Sequence, residues 1–324
     1  MGRGTWGENV IATTSTHPTH VPRPTSHVPA LGLLVSHLRE EEKLILGAVR
    51  ELGVETRVIQ DRTLALELAN PTDLRVDVVL DRCVAHTRGG YALRIFEAWG
   101  VRTVNPSAAV AICDDKALMS LAFATHGVPT PRTAVAFTVE SAMEIGETFG
   151  YPLVIKPVSG SWGRLLARAN SAAALRTILE QKRTLGGPQH SVFYLQEHVD
   201  KPGRDIRAFY VGGEVIAASY RSAEHWITNV ARGAVSEPCP VTPAITALCR
   251  QAADAVGAEI AGVDLVETGN GLQCIEINGG AEFKGLMSAT DVPIARRVVE
   301  WVVGDLTPRP PLPRGEGVTV PRLV

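Results

Sequence analysis

The feature of this sequence that most constrains its fold is a pair of short apolar runs on either side of Gly269–Gly271, which reads Gly-Asn-Gly. Runs of this length around a glycine–asparagine turn predict a β-hairpin. If all three residues form the loop, Thr268 pairs with Leu272, and every pairing further along the strands follows from that register. The hairpin therefore fixes where the polar side chains on its two strands lie.

Three of those polar side chains belong to Asp264, Glu276 and Asn278. Glu276 and Asn278 are two residues apart, so they share one face of a strand. The register above puts Asp264 opposite Glu276 on the same face. Two carboxylates and an amide oxygen suit Mg²⁺, which takes one or two carboxylates and shares its other positions with water and nucleotide phosphates. The alternative is a polar sheet face without an ion.

Length and composition set the protein class. The chain has 324 residues, 45% of them hydrophobic, so two or three domains with a sizeable core are expected. The net charge of −2 gives no indication of a nucleic-acid partner. The five cysteines are scattered without a CxxC pair, which argues against a disulfide framework or a zinc ribbon and fits a reducing cytoplasm. No apolar run is long enough to predict a membrane span.

The two ends differ in composition from the rest. Residues 1–30 are rich in threonine, proline and histidine and predict a disordered extension. Metal binding by His17, His20 and His27 is the alternative to a solvated tail there. The proline-rich residues 305–324 predict a second disordered tail.

The segment 31–112 alternates apolar strands with helices, which predicts a small α/β sheet domain. Apolar residues at helical spacing predict a helix over Glu40–Leu52, ended by Gly53. A second helix is expected over Ala92–Trp99 before Gly100.

Short strands dominate the rest of the chain and predict an α+β body of mostly antiparallel strands. We divide it into a central subdomain, 113–190, and a C-terminal subdomain, 191–304. The pair Gly212-Gly213 predicts a tight hairpin turn. Helices are expected over Ser171–Gln181, Pro243–Val256 and Ile294–Val303.

Two lysines have neighbours typical of phosphate contacts. Lys156 ends an apolar strand and precedes a Ser/Gly loop whose backbone N–H groups are suited to phosphates. Lys116 opens a helix for which Asp114 or Asp115 is the expected N-cap. The alternatives are an ordinary hairpin with an exposed lysine and a solvated helix lysine.

Polar residues near further strand ends extend this candidate site. Glu197 ends an apolar strand, where backbone groups are suited to an adenine edge, and Asp205 is suited to ribose hydroxyls. Alternatively, Asp205 and Arg207 form a surface ion pair. Arg221 and Arg232, with polar residues between them, are suited to clamp carboxylates and an acyl phosphate, the alternative being a solvated loop.

Taken together, these stretches resemble the ATP-grasp superfamily over nearly all of residues 31–304. The shared order is a helix-start lysine, a strand lysine before a Gly-rich hairpin, a strand-end glutamate and an Asp…Glu-x-Asn set. The segments GVPTPRT, KPVSGSWGRL, QEHVDKPGRDIRAF, EHWITNVARG and EINGGAEFKG resemble the RimK-like branch, in particular its LysX and ArgX ligases. The resemblance implies an ATP-grasp fold, in which a small pre-ATP-grasp α/β domain precedes two α+β subdomains that hold ATP between them.

The resemblance also implies roles for individual residues. The residues that would hold ATP are Lys116, Lys156, Ser161, Trp162, Gly163, Arg164, Gln196, Glu197, His198, Val199, Asp205 and Arg207, of which 161–164 would form a flexible lid. Mg²⁺, or Mn²⁺ in its place, would be carried by Asp264, Glu276 and Asn278. The catalytic residues would be Arg221, Asn229 and Arg232. The amino-acid end would be lined by Arg221, Asn229, Glu282, Phe283 and Lys284.

The activity implied by the resemblance is an ATP-dependent ligation of a carboxylate to an amine through an acyl phosphate. The acid would be the C-terminal glutamate side chain of an acidic carrier protein of the LysW type, and the amine α-aminoadipate, in lysine biosynthesis. The alternatives are glutamate as the amine, a RimK-type ligase that adds glutamate to another protein, and a non-catalytic ATP-binding module. Relatives of this kind imply a homo-oligomer.

Overall fold

The computed structural model describes residues 30–160, 165–187, 191–223, 225–226, 228 and 234–304. Within this part of the chain the strands form three sheets, one parallel and two antiparallel, and helices cover them. The expected mixture of α/β and α+β architecture is confirmed. None of the helices described is long and apolar enough to cross a bilayer.

The N-terminal unit is a four-stranded parallel sheet. Its elements are β1 (Ala30–Val35), α1 (Glu40–Glu51), β2 (Glu55–Gln60), β3 (Val78–Arg82), α2 (His86–Ala98), β4 (Arg102–Val104) and α3 (Ser107–Cys113). The strand order is β2-β1-β3-β4. The predicted order of strands and helices is confirmed, although α2 begins six residues before the predicted start. All six residues of β1 are buried, as expected for a central strand covered on both faces.

The N-terminal sheet is joined to the C-terminal unit by a shared apolar core and by Asn105. The core combines side chains such as Leu31 and Val78 with Phe209. The Nδ2 group of buried Asn105 donates to the carbonyls of Ile260 (2.7 Å) and Gly279 (3.0 Å). Its Oδ1 accepts from two backbone N–H groups at 2.8 and 2.9 Å. One amide thus satisfies four backbone groups of the neighbouring unit.

The central unit is an antiparallel sheet with the strand order β5-β8-β6-β7. Its elements are α4 (Lys116–Thr125), β5 (Thr133–Ala136), α5 (Val139–Phe149), β6 (Leu153–Lys156), β7 (Ala167–Ala169), α6 (Ala172–Leu185) and β8 (Phe193–Glu197). The sequence analysis did not identify β5 or α5.

Strand alternation gives the central sheet two different faces. One face is apolar: Leu153, Ile155 and Leu195 pack with α5 and α6 into a separate core. The opposite face carries Lys156 on β6 and Gln196 on β8, because each is an odd number of positions from those apolar residues. Lys156 is 6% exposed and Gln196 2%. The polar face is therefore buried as well, which requires its groups to be paired.

The C-terminal unit is a five-stranded antiparallel sheet with the order β11-β10-β9-β12-β13. Its elements are β9 (Arg204–Val211), β10 (Glu214–Ser222), β11 (Val235–Pro238), α7 (Pro243–Val256), β12 (Ile260–Thr268), β13 (Gly271–Asn278), α8 (Lys284–Thr290) and α9 (Ile294–Gly304). The bounds predicted for α7 are confirmed: Thr242 caps its first turn, and Gly257 ends it in the left-handed conformation.

The register of the β12–β13 hairpin corrects the prediction at the turn and confirms it at the site. Thr268 pairs with Gly271, so the predicted Thr268–Leu272 pair is wrong. The Thr268 hydroxyl receives the N–H of Asn270 at 3.1 Å, which favours the shorter turn. A bulge next to Leu265 then adds one residue to β13, so that Asp264 lies opposite Glu276 as predicted.

Candidate functional site

The ammonium group of Lys116, a residue of the central unit, lies next to the β12–β13 hairpin of the C-terminal sheet. It is the first residue of α4, and of the two expected caps it is Asp115 that accepts backbone N–H groups of the first turn. The Lys116 Nζ donates to the carbonyl of Gly160 at 2.7 Å. It also lies 3.4 Å from Oε1 of Glu276. A predicted phosphate lysine and a predicted metal ligand are therefore adjacent.

Lys156 is a second buried cation of this region, at 6% exposure. Its Nζ donates to the neutral Oε1 of Gln196 at 2.6 Å. Burial lowers the pKa of Lys156 to about 8. Within the described residues no carboxylate is as close to the ammonium, so its charge is not neutralised by a direct partner.

Asp264, Glu276 and Asn278 lie on one face of the hairpin, as the sequence predicted. The Oδ1 of Asp264 accepts from Arg207 Nη1 at 2.8 Å and lies 3.0 Å from Arg221 Nη2. Burial by itself would raise the pKa of Asp264, yet the two guanidinium groups hold it below its usual value. Asp264 is therefore ionised at neutral pH.

Asp205 and Arg207 do not pair with each other; each pairs across to a neighbouring strand. Asp205 Oδ1 accepts from Arg221 Nε at 2.6 Å. Its Oδ2 accepts from the Thr228 hydroxyl and lies 3.5 Å from Lys201 Nζ. Asp205, expected near the ribose, therefore also holds the loop after β10 at Thr228.

The segment 196–199, predicted to contact adenine, divides between the interior and the surface. The side chain of Gln196 turns inward to Lys156, whereas Glu197 is exposed. His198 is half-buried, and its ring centroid lies 6.0 Å from that of Trp226. Burial lowers the pKa of His198. The Gln196 side chain is thus engaged by Lys156, and the adenine contact of this segment stays a prediction.

The segment 282–284, predicted to line the amino-acid end, is attached to the N-terminal unit. The exposed carboxylate of Glu282 accepts from Arg39 Nη1 at 3.1 Å. Phe283 is 1% exposed and packs edge-on against Phe209. Lys284 is exposed, and its side chain is the least constrained of the three.

Some predicted residues lie outside the described part of the chain. These are Ser161, Trp162, Gly163 and Arg164 of the expected lid, and Asn229 and Arg232 of the expected substrate loop. The three histidines of the N-terminal extension lie outside it as well.

The structure adds residues that the sequence reading missed. Tyr194 and Ser120 are linked at 2.9 Å beneath Lys156. Glu42 is fully buried and holds Arg39 and Arg82, and Arg82 donates to the carbonyl of Ala281 at 2.9 Å. The alternation of Tyr194 with apolar residues was a readable signal for a buried polar face, because a buried tyrosine hydroxyl usually requires a partner. Arg82 and Ala281 are 199 residues apart in sequence, and no local sequence pattern indicates their contact.

The donor set fits a divalent cation bound together with phosphates. Among the described residues no three or more His, Cys, Asp or Glu side chains converge as a self-sufficient metal centre. The hairpin instead offers two carboxylates and one amide oxygen, the few protein ligands that Mg²⁺ uses when water and phosphate complete its shell. Two neighbouring lysines, one of them without an adjacent carboxylate, match the charge of a polyphosphate.

Comparison with known families gives two adjoining matches. A model of the RimK-like ATP-grasp domain matches residues 113–302. A model of the LysX pre-ATP-grasp domain matches residues 31–112. The resemblance predicted from the sequence motifs is confirmed.

Two relatives align over most of this chain. An α-aminoadipate–LysW ligase LysX of Sulfurisphaera tokodaii is 33% identical over 281 residues, covering 84% of this chain and 99% of that protein. A glutamate–LysW ligase ArgX of the same organism is 33% identical over 273 residues, covering 83% and 96%.

A solved structure agrees with the fold. A RimK-domain ATP-grasp protein from Sphaerobacter thermophilus superposes with a TM-score of 0.72 at 24% identity, covering 85% of this chain and 100% of that one. The predicted ATP-grasp fold is confirmed.

Proposed function

The chain belongs to the RimK-like ATP-grasp family, and from this premise we propose that it joins α-aminoadipate to the C-terminal glutamate side chain of a LysW-type carrier protein. Members of the family are ATP-dependent carboxylate–amine ligases, and so is this protein. The proposed product is an amide on the carrier, formed in the cytoplasm during lysine biosynthesis.

One contact supports this proposal above the others. Lys116 of the central unit lies 3.4 Å from Glu276 of the C-terminal hairpin, so cationic and anionic groups suited to a metal–nucleotide complex meet between the units. We assign the ATP cleft to this junction, between residues 113–190 and 191–304. Lys116 and Lys156 are suited to the phosphates. Asp264, Glu276 and Asn278 are suited to Mg²⁺, which when bound would neutralise phosphate charge and orient the γ-phosphoryl group.

The proposed reaction has two steps. The carrier carboxylate attacks the γ-phosphorus of ATP, forming an acyl phosphate and releasing ADP. The amino group of the second substrate then attacks the acyl carbon, inorganic phosphate leaves, and the nitrogen loses a proton. No protein nucleophile is needed, so the residues of this chain act by binding and orienting. Charge spreads over oxygens in the phosphoryl transfer, and fixed lysines and backbone N–H groups stabilise it.

Arginines are suited to the acid groups of the substrates. Arg221 is 9% exposed and is held by Asp205 and Asp264, so its guanidinium has a fixed orientation. We assign Arg221 to the amino-acid end, together with Asn229, Arg232 and the segment 282–284. A fixed, planar guanidinium favours bidentate recognition of a carboxylate or an acyl phosphate.

Glutamate is the second candidate for the amine, because the ArgX relative matches as well as the LysX relative does. The two amino acids differ by one methylene, worth about 1–3 kcal/mol in a pocket. A RimK-type reaction, which adds glutamate to a different protein, uses the same chemistry on another acceptor.

The experiment is incubation of the protein with ATP, Mg²⁺, a LysW-type carrier and one amino acid at a time, followed by intact-mass measurement of the carrier. A gain of one α-aminoadipate residue supports the proposal. A gain of one glutamate residue alone selects the second candidate. ADP formation that ignores the carrier, or an unchanged carrier mass with both amino acids, contradicts a LysW ligase.

A further inference from the structure

A buried polar chain runs beneath Lys156 on the face of the central sheet opposite α5 and α6. Gln196, Tyr194 and Ser120 are its members, at 2%, 0% and 8% exposure. Lys156 Nζ bonds to the Gln196 amide at 2.6 Å, that amide to the Tyr194 hydroxyl at 3.1 Å, and the hydroxyl to Ser120 Oγ at 2.9 Å. The resemblance assigned Gln196 to adenine, and the sequence analysis did not predict this chain of hydrogen bonds.

The lysine sets the orientation of the Gln196 amide and so the direction of the bonds that this amide makes. An ammonium has only donors, so the atom of Gln196 that faces it must be the carbonyl oxygen. The NH₂ of Gln196 then donates to Tyr194, and it also donates to Thr133 Oγ1 at 3.0 Å. The Tyr194 hydroxyl is hydrogen-bonded to Ser120 Oγ, where either oxygen can donate, and the Thr133 hydroxyl donates to the carbonyl of Pro131 at 2.8 Å. A reversed amide would place two donors face to face.

We propose that Gln196, supported by Tyr194 and Ser120, is the positioning residue that holds the Lys156 ammonium in place for the nucleotide phosphates. This inference rests on the proposed function, since it assumes that Lys156 binds phosphate. Gln196 acts through Lys156 and needs no contact with the nucleotide.

The side chain of Gln196 is neutral, so it binds the Lys156 ammonium without cancelling its positive charge. A carboxylate at this position would pair with Lys156 and cancel the charge that phosphates require. An apolar residue would leave a buried ammonium without its acceptor and free to change rotamer. Glutamine restricts the ammonium and keeps its full positive charge.

The chain also connects the two phosphate lysines. Ser120 lies one helical turn after Lys116 on α4, on the same face of that helix. The chain therefore fixes the side of α4 that presents Lys116 relative to the strand that presents Lys156. A displacement of either element disturbs the spacing of both ammonium groups.

The test is nucleotide binding without turnover. The full-length protein and the variants Gln196→Met, Tyr194→Phe, Lys156→Met and Lys156→Met/Gln196→Met are titrated calorimetrically with AMP-PNP and Mg²⁺, with no carrier and no amino acid. Gln251→Met is the matched control, because the NH₂ of Gln251 on α7 likewise makes two hydrogen bonds, to the carbonyls of His126 and Gly127, and neither involves a lysine.

We expect Gln196→Met to weaken AMP-PNP binding by at least about tenfold, the effect of losing a hydrogen bond to a charged group. Tyr194→Phe should weaken it by about threefold, because it removes a neutral bond one step away. In the Lys156→Met background, the Gln196→Met change should add less than about twofold, since a residue that acts through Lys156 has nothing left to position. Gln251→Met should bind like the wild type.

The outcomes separate the inference from the proposed function. If the wild type does not bind AMP-PNP, both are contradicted. If the wild type binds and Gln196→Met binds equally well, the positioning role is overturned and the proposed function still stands. The same holds if the affinity losses of Lys156→Met and Gln196→Met add fully in the double variant. If Gln196→Met does not fold, the test uses Tyr194→Phe alone and combined with Lys156→Met. An AMP-PNP affinity that Tyr194→Phe leaves unchanged overturns the inference, and so do affinity losses that add fully in the combined variant. Gln196→Glu must also bind more weakly than the wild type, and equal affinity overturns it.

Discussion

Two ends of the candidate site, the proposed nucleotide end at Lys156 and the hairpin end at Asp264, hold their charges in opposite ways. At the nucleotide end, Lys156 is buried against the neutral amide of Gln196, and burial lowers its pKa to about 8. At the hairpin end, Asp264 is ionised and shares one oxygen between Arg207 and Arg221. The first end has a cation without an adjacent anion, and the second has a carboxylate with two cations.

This difference indicates what each end needs from its ligand. An uncompensated buried cation is unfavourable in the free protein and becomes favourable when phosphate arrives. A compensated carboxylate is already stable, so a metal ion must share it with arginines or displace them. Binding of phosphate at Lys156 should therefore stabilise the protein. Binding of a metal ion at Asp264 should instead replace contacts with Arg207 and Arg221 by contacts with the ion.

The largest effect on this comparison is expected from Glu276→Ala. The change removes a proposed metal ligand and the carboxylate next to Lys116, so turnover should fall by at least about a thousandfold, as when a charge-stabilising group is lost from a transition state. ADP release in the presence of carrier and amino acid is the measurement, and circular dichroism should report an intact fold. Activity near that of the wild type would exclude the ion site.

The next effect is on stability, from Asp264→Asn. The buried guanidinium of Arg221 and the half-buried one of Arg207 then lose their shared anion, and the free energy of unfolding should fall by about 3 kcal/mol. Urea denaturation of the ligand-free protein measures it. An unchanged urea midpoint would mean that the hairpin end is not compensated in the way described.

Lys156→Met should change stability in the opposite direction. It removes a buried cation that has no adjacent carboxylate, so the ligand-free protein should become more stable, while AMP-PNP affinity falls by at least about tenfold. Thermal melting with and without AMP-PNP measures both effects. A less stable ligand-free variant would show that Lys156 is compensated after all, and the contrast between the two ends would be lost.

A pH effect follows from the lowered pKa of Lys156. In the free protein the ammonium loses its proton as pH rises through about 8, so AMP-PNP affinity should fall by about tenfold per pH unit above that point. An unfolded lysine keeps its proton to about pH 10.4, so between pH 8 and that value the unfolded chain binds more protons than the folded one. The free energy of unfolding of the ligand-free protein should therefore rise with pH above 8, and this gain is lost as pH falls through 8. Calorimetry from pH 7 to 9.5 tests the affinity, with Lys156→Arg as a control that should not titrate in this range.

The smallest effect is expected from Glu267→Gln, a matched control for Asp264 on the same strand. Glu267 pairs with Arg204 at 2.8 Å, but both side chains are about one-third exposed. An ion pair so accessible to water should contribute less than about 1 kcal/mol. A loss as large as that from Asp264→Asn would show that burial does not distinguish the two pairs.

Sequence pattern predicted the faces of the strands better than their register. The two-residue period put Glu276 and Asn278 on one face regardless of the turn. The predicted pairing of Thr268 with Leu272 was wrong, and the pairing of Asp264 with Glu276 was right because a bulge compensated the shorter turn. A bulge leaves the composition of a strand unchanged, so a single sequence gives no sign of it.

Contacts between residues distant in sequence were the other feature of the site that the sequence did not predict. Lys156 and Lys116 could be identified from local neighbours: a strand end before a glycine loop, and a helix start after an aspartate. The inward orientation of Gln196 depends on which strand lies beside β8, and β5 was not predicted at all. The contact between Arg82 and Ala281 depends on how two units pack, which strand and helix periodicity does not encode.

The separate core of the central sheet has a consequence for motion. The N-terminal and C-terminal sheets share one apolar core and are joined through Asn105, whereas the central sheet packs mainly on its own helices. Its contacts with α4, which packs through Met119 and Phe123 into the core of the C-terminal sheet, include the backbone hydrogen bond from Lys116 to Val158 and the bond between Ser120 and Tyr194. We expect a rotation of the central sheet about 126–132 and 198–203 to change these contacts while leaving both apolar cores intact. We expect nucleotide to enter by this rotation of the central sheet relative to the other two sheets.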